Sequence, residues 1–154
     1  ECLVGSEMCI RDRYHTPLWL NSFWEVAGAL QLPVQLPMPI LRTLTESQRT
    51  QLPAIGASVH SPEEAVLAEK LGASWLIAGH IFATACKPDL PPRGLDFLRN
   101  VCSIVSIPVY AIGGITPERL PAITQAGAAS CCVMSQMMQC PDVPAEFQNW
   151  RKRI

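Results

Sequence analysis

The sequence predicts an α/β fold of about six repeated β-α units, with parallel strands in one sheet and a barrel favoured over an open doubly wound sheet. Three observations carry this. From Tyr14 onward short apolar runs recur roughly every twenty residues: PLWLN, LPVQLP, PAIGASVH, SWLIAGHIF, IPVYAIGGI and AASCCVMS. Most are apolar throughout rather than alternating, as strands covered on both faces are. Finally, His60, His80, Thr84, Gly113, Gly114 and Ser135 all fall at or just beyond the C-terminal ends of these runs. Barrel enzymes build their active sites on that rim, with phosphate commonly bound after the last two strands. An open sheet also binds at its strand C-termini, so pattern alone leaves the choice open.

The segments between the runs carry helix punctuation. Thr45 to Gln48 (TESQ) is a capping-box pattern. In SPEEAVLAEKLG, Ser61 caps, Pro62 suits the first helical position, Glu64 reaches back to complete a capping box, and Gly72 ends the helix. GLDFLRNVCSIV places Leu95, Leu98 and Cys102 on one helical face. In TPERLPAITQAG, Thr116 caps, Pro117 opens and Gly127 closes, while Pro121 disturbs the second turn. Phe147, Trp150 and Ile154 form a stripe expected to dock the last helix on the core.

Composition bounds the rest. At 154 residues, 49% hydrophobic and 16% charged, the chain is expected to form one globular domain with a substantial core. A net charge of -1 and the lack of a basic stripe argue against nucleic acid or an anionic membrane as partner. The terminal RKRI reads as a solvated helix end. No apolar run reaches membrane-spanning length. The seven cysteines are odd in number and show no C-x-x-C or His/Cys ligand spacing, which suits reduced thiols in a cytoplasmic protein. Cys131 and Cys132 fall in an apolar run, where cysteine acts as a small hydrophobe. The opening ECLVGSEMCIRDRY has no continuous apolar stretch and is not a secretory signal. One back-translation of CLVGSEMCIRD resembles the adapter end that transposase-based sequencing libraries attach to DNA fragments. Residues 1–13 are therefore expected to be a non-native, adapter-derived segment, the alternative being an ordinary tail; either way they are set aside, and 14–154 are taken as the domain.

Three places carry residues suited to chemistry. The first pairs AIGGI with Val133-Met134-Ser135, at the ends of consecutive strands. Gly113 and Gly114 let backbone N–H groups approach an anion, and the Ser135 hydroxyl adds a donor. A Gly-Gly pair alone marks no more than a tight turn; two such strand ends together suggest a phosphate cup with Met134 at its edge. The second is AGHIFATACK, where His80 is the obvious acid or base near neutral pH, Gly79 leaves room for a ligand, and Thr84 and Lys87 begin a proline-rich loop of ligand-covering length. The plain readings are a structural histidine, a solvated lysine and an incidental Cys86. The third is ASVHS: Ser58 and His60 end a strand, and His60 is balanced between supporting a site and supporting its own turn. No strand end carries two carboxylates, so no metal site is expected.

These stretches together resemble the thiamine phosphate synthase/TenI superfamily, from about Pro17 to Gln139, with five motifs in order. The resemblance implies a TIM barrel binding a small phosphorylated thiazole at its rim. In the synthase branch an Asn-Asp-Arg after the third strand and an Asp after the fourth serve magnesium; here those places read Asn21-Ser22-Phe23 and VQLPMPI. The tautomerase branch, with VQLP and GH-x-F-x-T-x-C-K, looks closer, matched by Gly79, His80, Phe82, Thr84, Cys86 and Lys87. It implies that His80 moves the proton that aromatises a carboxythiazole phosphate, without cofactor. Gly113, Gly114 and Ser135 would hold phosphate, Thr84 and Lys87 would contact substrate, and Ser58, His60 and Asn21 would lie behind them.

The resemblance further implies an (β/α)8 barrel truncated to its third to eighth strands, and hence a fragment expected to be poorly soluble and inactive alone. Other readings are a synthase using magnesium, a non-catalytic phosphate-binding regulator and, remotely, a Schiff-base aldolase through Lys87. The oligomeric state stays open.

Overall fold

A computed structural model describes residue 13 and residues 15–153. The segment set aside as non-native, residues 1–13, lies outside the described residues except for Arg13. Six strands form one parallel sheet: β1 (Leu20–Asn21), β2 (Val34–Pro37), β3 (Ile55–Val59), β4 (Trp75–Gly79), β5 (Val109–Ile112) and β6 (Ser130–Cys132). Every apolar run marked in the sequence supplies one of them. Strand order in the sheet follows chain order from β1 to β6. A doubly wound sheet reverses direction at a switch point; uninterrupted order is the winding of a barrel. Among the described residues β1 and β6 have no strand on their outer sides, so the sheet is an arc of a barrel.

Helices α1 (Trp24–Leu30), α2 (Met38–Thr43), α3 (Glu46–Thr50), α4 (Pro62–Lys70), α5 (Gly94–Ile104), α6 (Leu120–Gln125), α7 (Ser135–Gln139) and α8 (Val143–Arg151) occupy the connections and the end of the chain. Register fixes which strand residues share a face. Val34 pairs with Ile55, Leu36 with Ala57, Ala57 with Leu76, Leu76 with Val109 and Ala78 with Ala111. All of these are at most 3% exposed. They pack in one cluster with Leu41 of α2, Ala65 and Ala68 of α4, Leu98 and Val101 of α5, and Leu120 and Ile123 of α6. Burying each Leu or Ile there contributes roughly 2 kcal/mol. The opposite faces of the strands are less covered: Pro37, Ser58, Ile77, Tyr110 and Ile112 are only half-buried. The all-apolar runs therefore serve two unequal faces, one sealed by helices and one forming the inner wall.

Most punctuation works as expected. Thr45 closes a complete capping box with Gln48. Ser61 Oγ accepts from the Glu64 amide at 3.2 Å, and Pro62 opens α4. Glu64 does not complete the expected box: its carboxylate accepts from the His60 amide at 2.8 Å, one residue further back, and so ties α4 to the end of β3. Pro121 has no N–H to continue a ladder from Pro117. The segment accordingly splits into a 3-10 turn (Pro117–Arg119) and α6, with Thr116 in the cap position but making no side-chain cap bond. In α5, Leu98 and Val101 are buried, with Leu95 and Cys102 packed against them.

The expected terminal stripe is only partly realised. Trp150 is buried and donates from Nε1 to Glu146 Oε1 at 2.8 Å. That bond turns the 146/150 edge of α8 inward, which leaves Phe147 52% exposed beneath the Arg151 guanidinium. Ile154 lies outside the described residues. Cys86, Cys102, Cys131, Cys132 and Cys140 are free thiols. Among the described residues no helix is long and apolar enough to cross a membrane.

Candidate functional site

The parallel winding brings every rim residue marked in the sequence to the same edge of the sheet, beyond β3, β4, β5 or β6. Their surroundings differ sharply. Ser58 accepts at Oγ from Gln35 Nε2 at 2.9 Å, and Gln35 Oε1 accepts from Trp75 Nε1 at 2.8 Å. Ser58 is thus part of a polar bridge across β2, β3 and β4 on the inner wall. The Trp19 ring packs at a tilt against Trp75, 5.3 Å between centroids. Gln35 was not singled out from sequence, although a lone amide in an otherwise apolar strand run is a signal that it needs a buried partner. His60 is exposed and acts through its backbone, as the donor to Glu64. Asn21 is exposed at the end of β1, in register with Gln35.

His80 follows β4 directly and is only 5% exposed. Its Nε2 lies 3.2 Å from the Leu90 carbonyl oxygen. A carbonyl can only accept, so this contact needs the proton on Nε2 and leaves Nδ1 as the basic nitrogen of a neutral ring. The loop between β4 and α5 also pairs through its backbone, Arg93 donating to the His80 carbonyl and Gly94 to that of Ile81, both at 3.0 Å. His80 therefore sits beneath its own loop. Gly79 gives no room for a ligand: a side chain there would overlap Ile112, whose own side chain fills the space. Thr84 and Lys87 line a cleft of about 440 Å³ formed by the loop itself, with Asp89 and Leu90. His80, the glycine pair and Ser135 are not part of its lining. A larger cleft, about 560 Å³, lies in the helix layer between α1 and α3, away from the rim.

Beyond the strand ends the pairing of β4 with β5 continues: Ile81 donates to the Ile112 carbonyl at 2.9 Å and Phe82 to that of Gly113 at 3.0 Å. This draws the His80 backbone against the turn made by Gly113 (φ 97°) and Gly114 (φ 61°). A Cβ on Gly113 would overlap that of His80 and lie 2.8 Å from its Cα. Gly114 is as tightly set, against Ala83 and Phe82. Arg119 donates to the Gly114 carbonyl and lays its guanidinium over the Phe82 ring, 4.4 Å from the centroid.

Ser135, the first residue of α7, reaches the same loop, its Oγ 3.4 Å from Cys86 Sγ. Hydrogen bonding from Ser135, then from Thr84, holds the exposed Cys86 thiol below its ordinary range. Burial instead pushes the Cys131 and Cys132 thiols up. Met134 is 61% exposed beside Ser135. The rim thus joins Thr84, Cys86 and Ser135 in one cluster, and His80, Gly113, Gly114, Phe82 and Arg119 in another. Phe82, Cys86 and Arg119 are the members to which sequence reasoning gave no role.

The donor set for a magnesium ion is poor. Beyond β1 stand Asn21-Ser22-Phe23 and at the end of β2 Pro37-Met38-Pro39, neither with a carboxylate. Among the described residues no three His, Cys, Asp or Glu side chains are grouped to hold a metal.

Residues 7–137 match the sequence model of the family described as thiamine monophosphate synthase. The thiamine-phosphate synthase of Syntrophomonas wolfei is 37% identical across 97% of this chain and 68% of its own length. That of Methanoregula boonei is 41% identical across 99% of this chain and 73% of its own length. A solved thiamine phosphate pyrophosphorylase from Pyrococcus furiosus superposes with a TM-score of 0.77 at 34% identity, over 93% of this chain and 69% of its own. The 3-hexulose-6-phosphate synthase of Salmonella typhimurium, 12% identical, shares the fold at a TM-score of 0.73. The chain spans between two thirds and three quarters of the length of the two curated synthases. The motif resemblance leaned toward the tautomerase branch, whereas these sequence relatives carry the synthase name. With the barrel winding and this breadth of match, the chain belongs to the thiamine monophosphate synthase family.

Proposed function

We propose that the chain carries the phosphate-binding side of an enzyme of thiamine biosynthesis, taking a phosphorylated thiazole at the rim beyond β5 and β6. The observation that carries this is the Gly113-Gly114 turn after β5, with Ser135 following the neighbouring strand β6. Two successive glycines at positive φ form the kind of turn whose backbone amides can converge on an anion, and a hydroxyl follows the next strand. The reaction that the relatives' names support is synthesis of thiamine phosphate, joining a pyrimidine pyrophosphate to thiazole phosphate with release of pyrophosphate.

A second reading rests on a specific observation. The places where the synthase pattern puts its metal acids hold Asn21-Ser22-Phe23 and Pro37-Met38-Pro39, which do not fit a magnesium ion. Tautomerisation of a carboxythiazole phosphate needs proton transfer alone, and His80, with Nδ1 as its basic nitrogen, is the group suited to it.

One set of measurements on the intact protein separates these. Titration with thiazole phosphate tests the shared site, and loss of binding in Ser135→Ala supports it. Pyrophosphate release from the two substrates with magnesium supports synthesis. Aromatisation lost in His80→Ala, without pyrophosphate release, supports the tautomerase. Binding with neither activity points to a regulator, and no binding at all overturns the reading.

A further inference from the structure

We propose that Arg119 is a positioning residue for the glycine turn, fixing the orientation of the amides that meet the phosphate. This rests on the reading of that turn as the phosphate site. Gly113 and Gly114 have no side chains to hold them, and glycine explores more backbone space than any other residue. Something else must fix the turn if it is to bind an anion without a large ordering cost.

The contacts form a closed circuit. The Phe82 amide donates to the Gly113 carbonyl at 3.0 Å; the Gly114 carbonyl accepts from Arg119; and the Arg119 guanidinium lies over the Phe82 ring at 4.4 Å. Arg119 itself is placed by the 3-10 turn, its amide donating to the Thr116 carbonyl at 3.0 Å. Pro121 matters here, because the ladder it interrupts leaves Arg119 at the end of that short turn rather than inside a continuous helix. The peptide bond carries the effect forward. In a trans peptide the C=O and the next N–H point in opposite directions, so pinning the Gly114 carbonyl also aims the Ile115 amide away from Arg119. The neighbouring acid does not neutralise this arrangement by direct pairing: Glu118 pairs with Arg153 at 3.4 Å.

A guanidinium suits the task because it is planar, stacks on a ring face and donates along a fixed direction. An ammonium would keep the charge and lose the stack. The role predicted is therefore distinct from that of a cation that contacts phosphate itself.

The test uses the full chain with inorganic phosphate and thiazole phosphate as probes. It compares Arg119→Ala, Arg119→Lys, Phe82→Leu and the Arg119→Ala/Phe82→Leu double variant. Affinity is read by titration and turn order by hydrogen exchange at the Gly114 and Ile115 amides. Arg119→Ala is expected to weaken binding about tenfold, on the scale of one lost charge-assisted hydrogen bond, and to speed exchange at both amides. Phe82→Leu should reproduce most of that loss, Arg119→Lys should restore little, and the double variant should be no worse than Arg119→Ala. Wild-type affinity in Arg119→Ala overturns the proposal. So does a loss in Arg119→Ala that Phe82→Leu does not share and Arg119→Lys repairs, because that is the behaviour of a direct phosphate ligand. A wild-type chain that binds neither probe overturns the phosphate reading and the proposal together. Unchanged exchange in the variants, with normal wild-type binding, removes the positioning role alone.

Discussion

Gly113 is the residue at which the glycine turn and His80 meet, and replacing it with alanine separates two costs that usually come mixed. The backbone there has φ 97°, in the region L side chains avoid, and the added Cβ would lie 2.8 Å from His80 Cα as well as overlapping its Cβ. Gly72 supplies the control: it has φ 88° and no atom within 4 Å of the added Cβ. Gly72→Ala should therefore cost only the dihedral penalty, about 1–2 kcal/mol. Gly113→Ala should cost that plus about 1–3 kcal/mol of overpacking, because the obstacle is backbone and Cβ rather than the end of a flexible chain. The expected loss is about 2–5 kcal/mol, within the roughly 5–15 kcal/mol that domains possess, so the variant should still fold. Urea unfolding followed by tryptophan fluorescence measures both variants, and thiazole phosphate titration reports on the turn. Gly113→Ala should unfold at clearly lower urea than Gly72→Ala and bind the ligand more weakly, while Gly72→Ala binds normally. Equal destabilisation by the two substitutions would refute the claim that His80 is packed against the turn.

Three further outcomes follow from other parts of the molecule. Cys86, exposed and lowered in pKa by Ser135, should be alkylated by iodoacetamide near pH 7.5 before Cys131 or Cys132, and more slowly in Ser135→Ala; peptide mapping that finds Cys132 modified first contradicts this. Glu69 accepts from the Ser106 hydroxyl at 2.5 Å and from its amide at 2.8 Å, and these bonds depress its pKa. A depressed acid contributes stability above its unfolded value, about 4.3, that is lost as pH falls through the lower folded value; Glu69→Gln should flatten that acid limb in urea midpoints taken from pH 7 to pH 3. Gln35→Leu strands the buried Trp75 Nε1–H and should cost about 1–3 kcal/mol, with a shift in tryptophan emission; an unchanged unfolding midpoint would mean the bridge is not formed.

What could be read from the chain alone was whatever depends on neighbours in sequence. Six apolar runs became six strands because each is short and bounded by Gly, Pro or Ser, and the parallel winding followed from the helices between them. Pro121 divided its segment where the missing N–H demanded. The errors arose where a side chain chose between near-equal local partners. Glu64 took the His60 amide instead of completing its box, and Trp150 took Glu146, turning Phe147 outward. The inner-wall bridge was hidden for another reason: Gln35 and Trp75 are separated by 40 residues, and only strand register places them together. Arg119 was not singled out from sequence, since its carbonyl partner and its aromatic partner lie on two different connections.

The rim itself is organised by the connection after β4. Through Phe82 it meets the β5 turn, through Cys86 it meets Ser135 beyond β6, and through Leu90 it covers His80. A ligand phosphate at the turn and a proton donor at His80 would both be governed by this one segment. The covering bond also constrains any acid/base role. While Nε2 donates to Leu90, His80 can take a proton only at Nδ1, and the residue is only 5% exposed with the segment in place. Lifting would break the Leu90 contact and free Nε2–H at the same moment. If His80 is the acid/base group and must be uncovered to reach a thiazole, its proton transfer would be coupled to movement of residues 83–92. Weakening the cover, as in Leu90→Gly, would leave the bond's carbonyl in place but loosen the backbone that presents it. If His80 is the acid/base group, that change should raise proton exchange on a bound thiazole at low ligand concentration. A variant that exchanges no faster, with His80 still required, would mean that the ring already reaches its substrate beneath the closed segment.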